Sequence, residues 1–195
     1  MGFFSLILGY LLGSIPSGWL AGRWLKGIDL RELGSCSTGA TNVLRQVGKG
    51  PALVVFLIDV GKGAAAVLIA RALGLGDWIQ VLAGLTALAG HIWPVWLHFK
   101  GGKAVATGFG MFLGLAWPVG LASFGVFLLT LWLFRIVSLS SVLAAVSLPL
   151  LMISFSGIGS YILIALVAMG LVLWRHRSNL ARILEGSEPK VGQKD

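Results

Sequence analysis

Apolar residues fall into seven runs, at about 3–25, 51–73, 78–98, 104–117, 118–134, 139–154 and 157–174, and the segments between them hold most of the charge. A helix crossing the hydrocarbon core of a bilayer needs roughly 17–25 such residues, so the pattern predicts membrane-spanning helices. Three of the runs are short by that measure. From Ala104 to Phe134 there are 31 residues without a charge, too many for one comfortable helix, and Trp117-Pro118 offers a break near the middle. The reading that follows is an all-α integral membrane protein: a bundle of seven transmembrane helices, some short, forming one domain over residues 1–195. Five crossings is the alternative that keeps the same orientation.

Composition agrees with the pattern. Hydrophobic residues make up 57% of the chain, only 11% of residues are charged, and mean hydropathy is +0.92, values outside the range of a soluble domain. The run from Phe3 to Leu20 has neither a basic segment ahead of it nor a small-residue cleavage site, so it reads as a retained first helix. The net charge of +8 could suggest nucleic acid. The charges are instead scattered between apolar runs, as the positive-inside rule requires, and no nucleic-acid partner is expected. With seven helices, all of the fifteen Lys and Arg residues except Lys62 and Arg71 lie at one face. That face is expected to be cytoplasmic, with the N-terminus outside and the C-terminus inside. The single cysteine, Cys36, has no partner for an internal disulfide.

In this topology the second, fourth and sixth helices begin at the cytoplasmic face, where their positive dipole ends favour anions. Polar residues gather near all three starts: Thr41, Asn42 and Arg45 before the second, Gly101-Gly102-Lys103 before the fourth, and Ser138, Ser140 and Ser141 at the sixth. The expected ligand is a phosphate. In the first patch, Gly34 and Gly39 permit tight turns, Ser35 and Thr41 offer hydroxyls, Asn42 an amide, and Arg45 a guanidinium fork suited to a phosphate. A self-capped loop, with Ser, Thr and Asn satisfying their own backbone, is the plainer reading of the same residues.

The second patch runs from Gly90-His91 through Phe99-Lys100-Gly101-Gly102-Lys103 to Thr107. Lys103 can hold an oxyanion or simply anchor the chain at the membrane surface. His91, an ionisable group near a helix end, is either a site residue or a buried interhelical hydrogen-bonding group. In the third patch, His176 and Asn179 are three apart and would share one face of a continuing helix, within a basic segment that could also contact lipid headgroups. Asp59 and Lys62, also three apart, can neutralise each other inside the second helix. Glycine pairs at 9 and 13, 18 and 22, and 110 and 114 suit close helix packing, and Pro16 suits a kink.

Several chemistries lack their residues. Neither Gly61-Lys62 nor Gly102-Lys103 belongs to a Walker pattern, no Gly-x-Ser-x-Gly elbow occurs, and no histidine has an aspartate five residues on. No cluster has metal-ligand spacing, so neither a metal nor a cofactor is expected.

Taken together in order, Gly34-Ser35 through Arg45, Gly90-His91 with Phe99 through Thr107, and Arg175-His176 through Glu188-Pro189 resemble the three cytoplasmic motifs of the bacterial acyl-phosphate-dependent glycerol-3-phosphate acyltransferases, the PlsY family. The resemblance spans nearly the whole chain. It implies an enzyme of the bacterial plasma membrane that transfers a fatty acyl group from acyl phosphate, not acyl-CoA, to the 1-hydroxyl of glycerol 3-phosphate. The products are lysophosphatidic acid and inorganic phosphate, the first step of phospholipid synthesis. It also implies a site facing the cytoplasm. Ser35, Arg45, Lys103, His176 and Asn179 would be catalytic, and Gly34, Gly39, Thr41, Asn42, Gly102, Ser141 and His91 would bind substrate. Arg45 and Lys103 would clamp phosphates. Ser35 and nearby glycine N–H groups would hold the acyl-phosphate end, while Ser141, His176 and Asn179 would position glycerol 3-phosphate. The proton could go to His176 or to a substrate phosphate.

This chain departs from the family's usual pattern at Cys36 and Ser37, where Gly and Asn are common, and at Ala104, where Gly is common. Two other functions compete: a small transporter for a phosphorylated metabolite, and a scaffold gripping anionic lipid headgroups. The first predicts polar groups through the membrane interior, whereas here they gather at one face apart from Asp59 and Lys62. The second leaves Gly34 through Arg45 unexplained.

Overall fold

The structure, a computed structural model, describes residues 1–193, and every regular element among them is a helix. Two compact units divide the chain, Met1–Leu115 and the part from Ala116 onward.

The first unit contains α1 (Gly2–Ser14), α2 (Ser17–Lys26), α3 (Ala40–Gln46), α4 (Lys49–Ala72), α5 (Asp77–Ile92), a 3₁₀ turn at Val95–Leu97 and α6 (Val105–Leu115). The apolar run at 3–25 is broken as expected: α1 stops at Ser14 and α2 restarts at Ser17, with Pro16 between. α4 is the central element, packed against α1, α5 and α6, and α1 also lies along α5. Glycines allow these approaches. A Cβ on Gly13 would run into the Ala87 carbonyl, and one on Gly110 into that of Val60. The faces turned away from these contacts stay apolar: Phe3, Leu53 and Leu57 are exposed, as lipid-facing side chains must be.

The second unit contains α7 (Trp117–Phe134), α8 (Val137–Phe155), α9 (Gly159–Arg175) and α10 (Arg177–Leu184). α8 packs between α7 and α9, and Ser123 Oγ donates to the Ala144 carbonyl at 3.0 Å across the α7–α8 contact. α10 folds back onto α8 and α9.

All seven apolar runs are helical, and their lengths divide them. Among the described residues, five segments are long and apolar enough to cross a membrane: Gly2–Lys26, Lys49–Ala72, Asp77–Leu97, Trp117–Phe134 and Val137–Phe155. A sixth is formed by Gly159–Arg175 with Arg177–Leu184, bent by 60°. The chain is therefore a multi-pass membrane protein with five to six apolar spans. α6 has 11 residues, about 16 Å of helix, roughly half the hydrocarbon thickness. The long uncharged stretch is indeed two helices. Its break falls at Ala116, and Trp117-Pro118 open α7, where a proline lacking its N–H costs little.

Candidate active site

The first motif is a loop and a short helix organised by one amide. Asn42 is 1% exposed. Its Nδ2 donates to the carbonyls of Leu30, Leu33 and Ser37 at 2.9–3.0 Å, and its Oδ1 accepts the Ser35 N–H at 3.2 Å. Both ends of this buried amide are engaged by the loop's own backbone. Asn42 folds the loop on which the other residues of the motif sit. Gly34 has φ +59, and a Cβ there would strike Asn42 Oδ1, so glycine is required by the same turn. Gly39 precedes α3 and its carbonyl accepts the N–H groups of Asn42 and Val43. Thr41 is half-buried in the first turn of α3, Ser35 is half-buried in the loop, and Arg45 is exposed in the last turn. These residues form their own helix, ending at Gln46 before α4 begins at Lys49. They do not cap α4, as the helix-start argument expected.

A strap links this loop to the second motif. Arg31 grips the Asp29 carboxylate with Nε and Nη2, the latter at 2.6 Å, while Arg31 Nη1 donates to the Leu97 carbonyl at 3.2 Å. Asp29 also accepts from Trp19 Nε1. The hydrogen bonds from Arg31 outweigh partial burial and hold the Asp29 carboxyl well below the usual carboxylate range.

In the second motif the chain leaves α5 and turns back on itself before α6. Gly101 N–H donates to the Ile92 carbonyl at 3.1 Å and Gly102 N–H to the His91 carbonyl at 3.0 Å. Gly102 lies so close to the His91 ring that a Cβ would collide with Nε2. Its N–H is held by the backbone, and the position is one of close packing. His91 is likewise inside, 7% exposed, with Nδ1 3.1 Å from Thr107 Oγ1 and 3.7 Å from Asp59 Oδ1. Of the two readings left open for it, interhelical hydrogen bonding is the one this geometry displays. Lys103 is half-buried immediately ahead of α6.

In the second unit, the helix expected to continue through His176 and Asn179 is bent at His176, where α9 ends and α10 begins. His176 is 2% exposed, and its Nδ1 lies 2.8 Å from the Val172 carbonyl. A carbonyl only accepts, so Nδ1 carries the proton and the basic lone pair of the neutral ring is on Nε2. Ser141, 4% exposed, donates to the Val137 carbonyl one turn back in α8. Asn179 Nδ2 donates to Glu188 Oε1 at 2.6 Å. That carboxylate also accepts from Ser138 Oγ and Arg182 Nε, each at 2.7 Å. Burial raises the Glu188 carboxyl, but the hydrogen bonds from Ser138, Asn179 and Arg182 together bring it below its ordinary value.

Residues 3–186 match the profile of the family described as glycerol-3-phosphate acyltransferase. The chain belongs to that family. A glycerol-3-phosphate acyltransferase of Parasynechococcus marenigrum (strain WH8102) is 74% identical over 97% of this chain and 89% of its own length. One of Prochlorococcus marinus (strain MIT 9313) is 70% identical over 97% and 94%. Two crystal structures of PlsY (YgiH), an integral membrane glycerol 3-phosphate acyltransferase, superpose closely. The glycerol 3-phosphate form has TM-score 0.93 at 40% identity, covering 98% of this chain and 96% of that one. The lysophosphatidic acid form has TM-score 0.90 at 38%, covering 98% and 95%.

Within this acyltransferase family, two departures of the chain acquire a physical meaning. Cys36 has φ +51 and Ala104 φ +59, left-handed conformations that suit glycine, the residue the resemblance leads one to expect at both positions. Glu188 is the organiser that sequence reasoning passed over. A carboxylate six residues after Arg182 in a basic segment was the available signal. Asp29 was missed too; its only local sign was Arg31 two residues on.

Proposed function

We propose that this glycerol-3-phosphate acyltransferase family member moves an acyl group from acyl phosphate to the 1-hydroxyl of glycerol 3-phosphate, without using acyl-CoA. The supporting observation is the near-complete likeness to a protein crystallised in a glycerol 3-phosphate form. In the reaction the hydroxyl oxygen attacks the acyl carbonyl carbon, the C–O bond to phosphate breaks, and inorganic phosphate leaves. Acyl phosphate is already activated, so alignment of the hydroxyl and neutralisation of the leaving phosphate carry most of the rate. Arg45 and Lys103 serve as the cationic holders, with hydroxyls supplied by Ser35, on the loop shaped by Gly34, and by Thr41, in the same short helix as Arg45. In the second unit, Ser141 and Asn179 orient glycerol 3-phosphate, and His176 Nε2 accepts the hydroxyl proton directly or leaves it to a substrate phosphate. We further place the protein in the bacterial plasma membrane with seven helices, α6 among them as a short one, the N-terminus outside and the motifs facing the cytoplasm. That arrangement keeps the basic loops inside and delivers water-soluble glycerol 3-phosphate and a lipid-borne acyl chain to the same face.

The test is turnover by purified protein in detergent, following phosphate release and lysophosphatidate from acyl phosphate and glycerol 3-phosphate. Arg45→Ala and Lys103→Ala are each expected to lower kcat/KM by about 2 kcal/mol of transition-state stabilisation or more, roughly 30-fold. Turnover near wild type in both variants refutes the phosphate-holding roles. No product from the wild type with acyl phosphate, but product with acyl-CoA, refutes the donor.

A further inference from the structure

The most deeply buried charges in the first unit lie beneath the second motif. Asp59 in α4 is 1% exposed, and Lys62, one turn on, donates to its Oδ1 at 2.8 Å. Neutralisation alone would need no more than this pair. The same Oδ1 also accepts from Ser17 Oγ at the start of α2, at 2.7 Å, and faces His91 Nδ1 at the end of α5. Thr107 of α6 completes the contact to His91, and Lys62 Nζ reaches the Ile15 carbonyl at the Pro16 break. One carboxylate thus joins α4 to the start of α2 by a hydrogen bond and lies 3.7 Å from His91 of α5, whose Nδ1 is in turn 3.1 Å from Thr107 of α6. His91 in turn carries the second motif: its carbonyl holds Gly102 N–H and its ring is packed against the Gly102 backbone.

We propose that Asp59 is a positioning residue for the acyl transfer, fixing His91 from inside the bundle so that Gly101-Gly102 present Lys103 in one place. The proposal rests on the reading of Lys103 as a phosphate holder. The ion pair supplies rigidity that a purely apolar contact would not, because Asp59 accepts directional hydrogen bonds from Ser17 of α2 and Lys62 of its own helix while its Oδ1 lies 3.7 Å from His91 Nδ1 of α5.

The discriminating variant is the double substitution Asp59→Leu with Lys62→Met. Apolar replacement of both partners of a buried ion pair often preserves folding, so charge compensation is met while the tether to His91 is gone. Hydrogen–deuterium exchange is read on a peptide covering 94–104, with one from 119–134 as reference, alongside kinetics of the monodisperse protein. Exchange at Gly101 and Gly102 should rise at least fivefold with the reference unchanged, and kcat/KM should fall at least tenfold. The Michaelis constant for a phosphorylated substrate should rise fivefold or more, an effect that mere loss of folded enzyme does not produce. Thr107→Val, which removes only the hydroxyl beside His91, should shift both readouts the same way by a smaller factor, and it decides the matter if the double variant does not fold. Unchanged exchange, or raised exchange with kcat/KM within twofold of wild type, overturns the proposal. Variants that exchange as described, in a protein whose wild type turns over no substrate, overturn the assigned reaction and leave the tether standing.

Discussion

The first and third motifs are each shaped by one buried side chain, and the two organisers differ in charge. Asn42 holds the loop from Leu30 to Ser37 with a neutral amide, whereas Glu188 holds Ser138, Asn179 and Arg182 with a carboxylate. The amide matches a loop whose needs are mixed, three carbonyls and one N–H, since Asn both donates and accepts. The carboxylate matches a site that offers only donors. A neutral organiser does not titrate, while a charged one ties its segment to pH.

The largest break in that comparison is Asn42→Ala. Leaving the Leu30, Leu33 and Ser37 carbonyls and the Ser35 N–H without their partner should cost about 3 kcal/mol or more and abolish turnover, read as loss of monodisperse protein and activity. Glu188→Gln should cost less, about 1–3 kcal/mol, because the shape survives and one acceptor oxygen remains. The pH dependence sharpens the difference. The Glu188 carboxyl lies below its ordinary value of 4.5 in the fold, so its contribution is full above that value and is lost as pH falls through the lowered one. The thermal midpoint of wild type in detergent should therefore drop on acidification below about pH 4.5, and Glu188→Gln should lack that part of the drop. Asp29, held lower still by Arg31, keeps its strap on the first loop to more acid pH. The smallest effect is a gain: Ala104→Gly removes a left-handed alanine and should stabilise the protein by about 1 kcal/mol, seen as a rise of a few degrees in midpoint. No rise would mean that packing of the buried Ala104 methyl outweighs the backbone strain.

Helix positions were legible in the chain because the apolar runs, short ones included, are set off by polar, glycine- or proline-bearing segments, and the breaks at Pro16 and near Trp117-Pro118 were legible because proline cannot continue a helix ladder. The pairing of Asp59 with Lys62 was readable for a similar reason: a three-residue separation is a local geometry of any helix. The roles of Asn42, Gly102 and His91 were not. Each is a polar or small residue inside a motif that looks like a binding site, and nothing in its neighbours along the chain says whether its hydrogen bonds turn inward or outward. Asn42 finds Leu30 twelve residues away, and His91 finds Asp59 and Thr107 on other helices.

Sequence by itself determined the membrane setting, the helical segments and the family, since all three rest on composition, period and ordered motifs that survive without coordinates. Tertiary structure alone decided which motif residues are spent on holding the motifs together. Hydrogen-bond partners in a folded chain are set by which helices approach one another, and that approach is fixed by packing between residues far apart in the sequence.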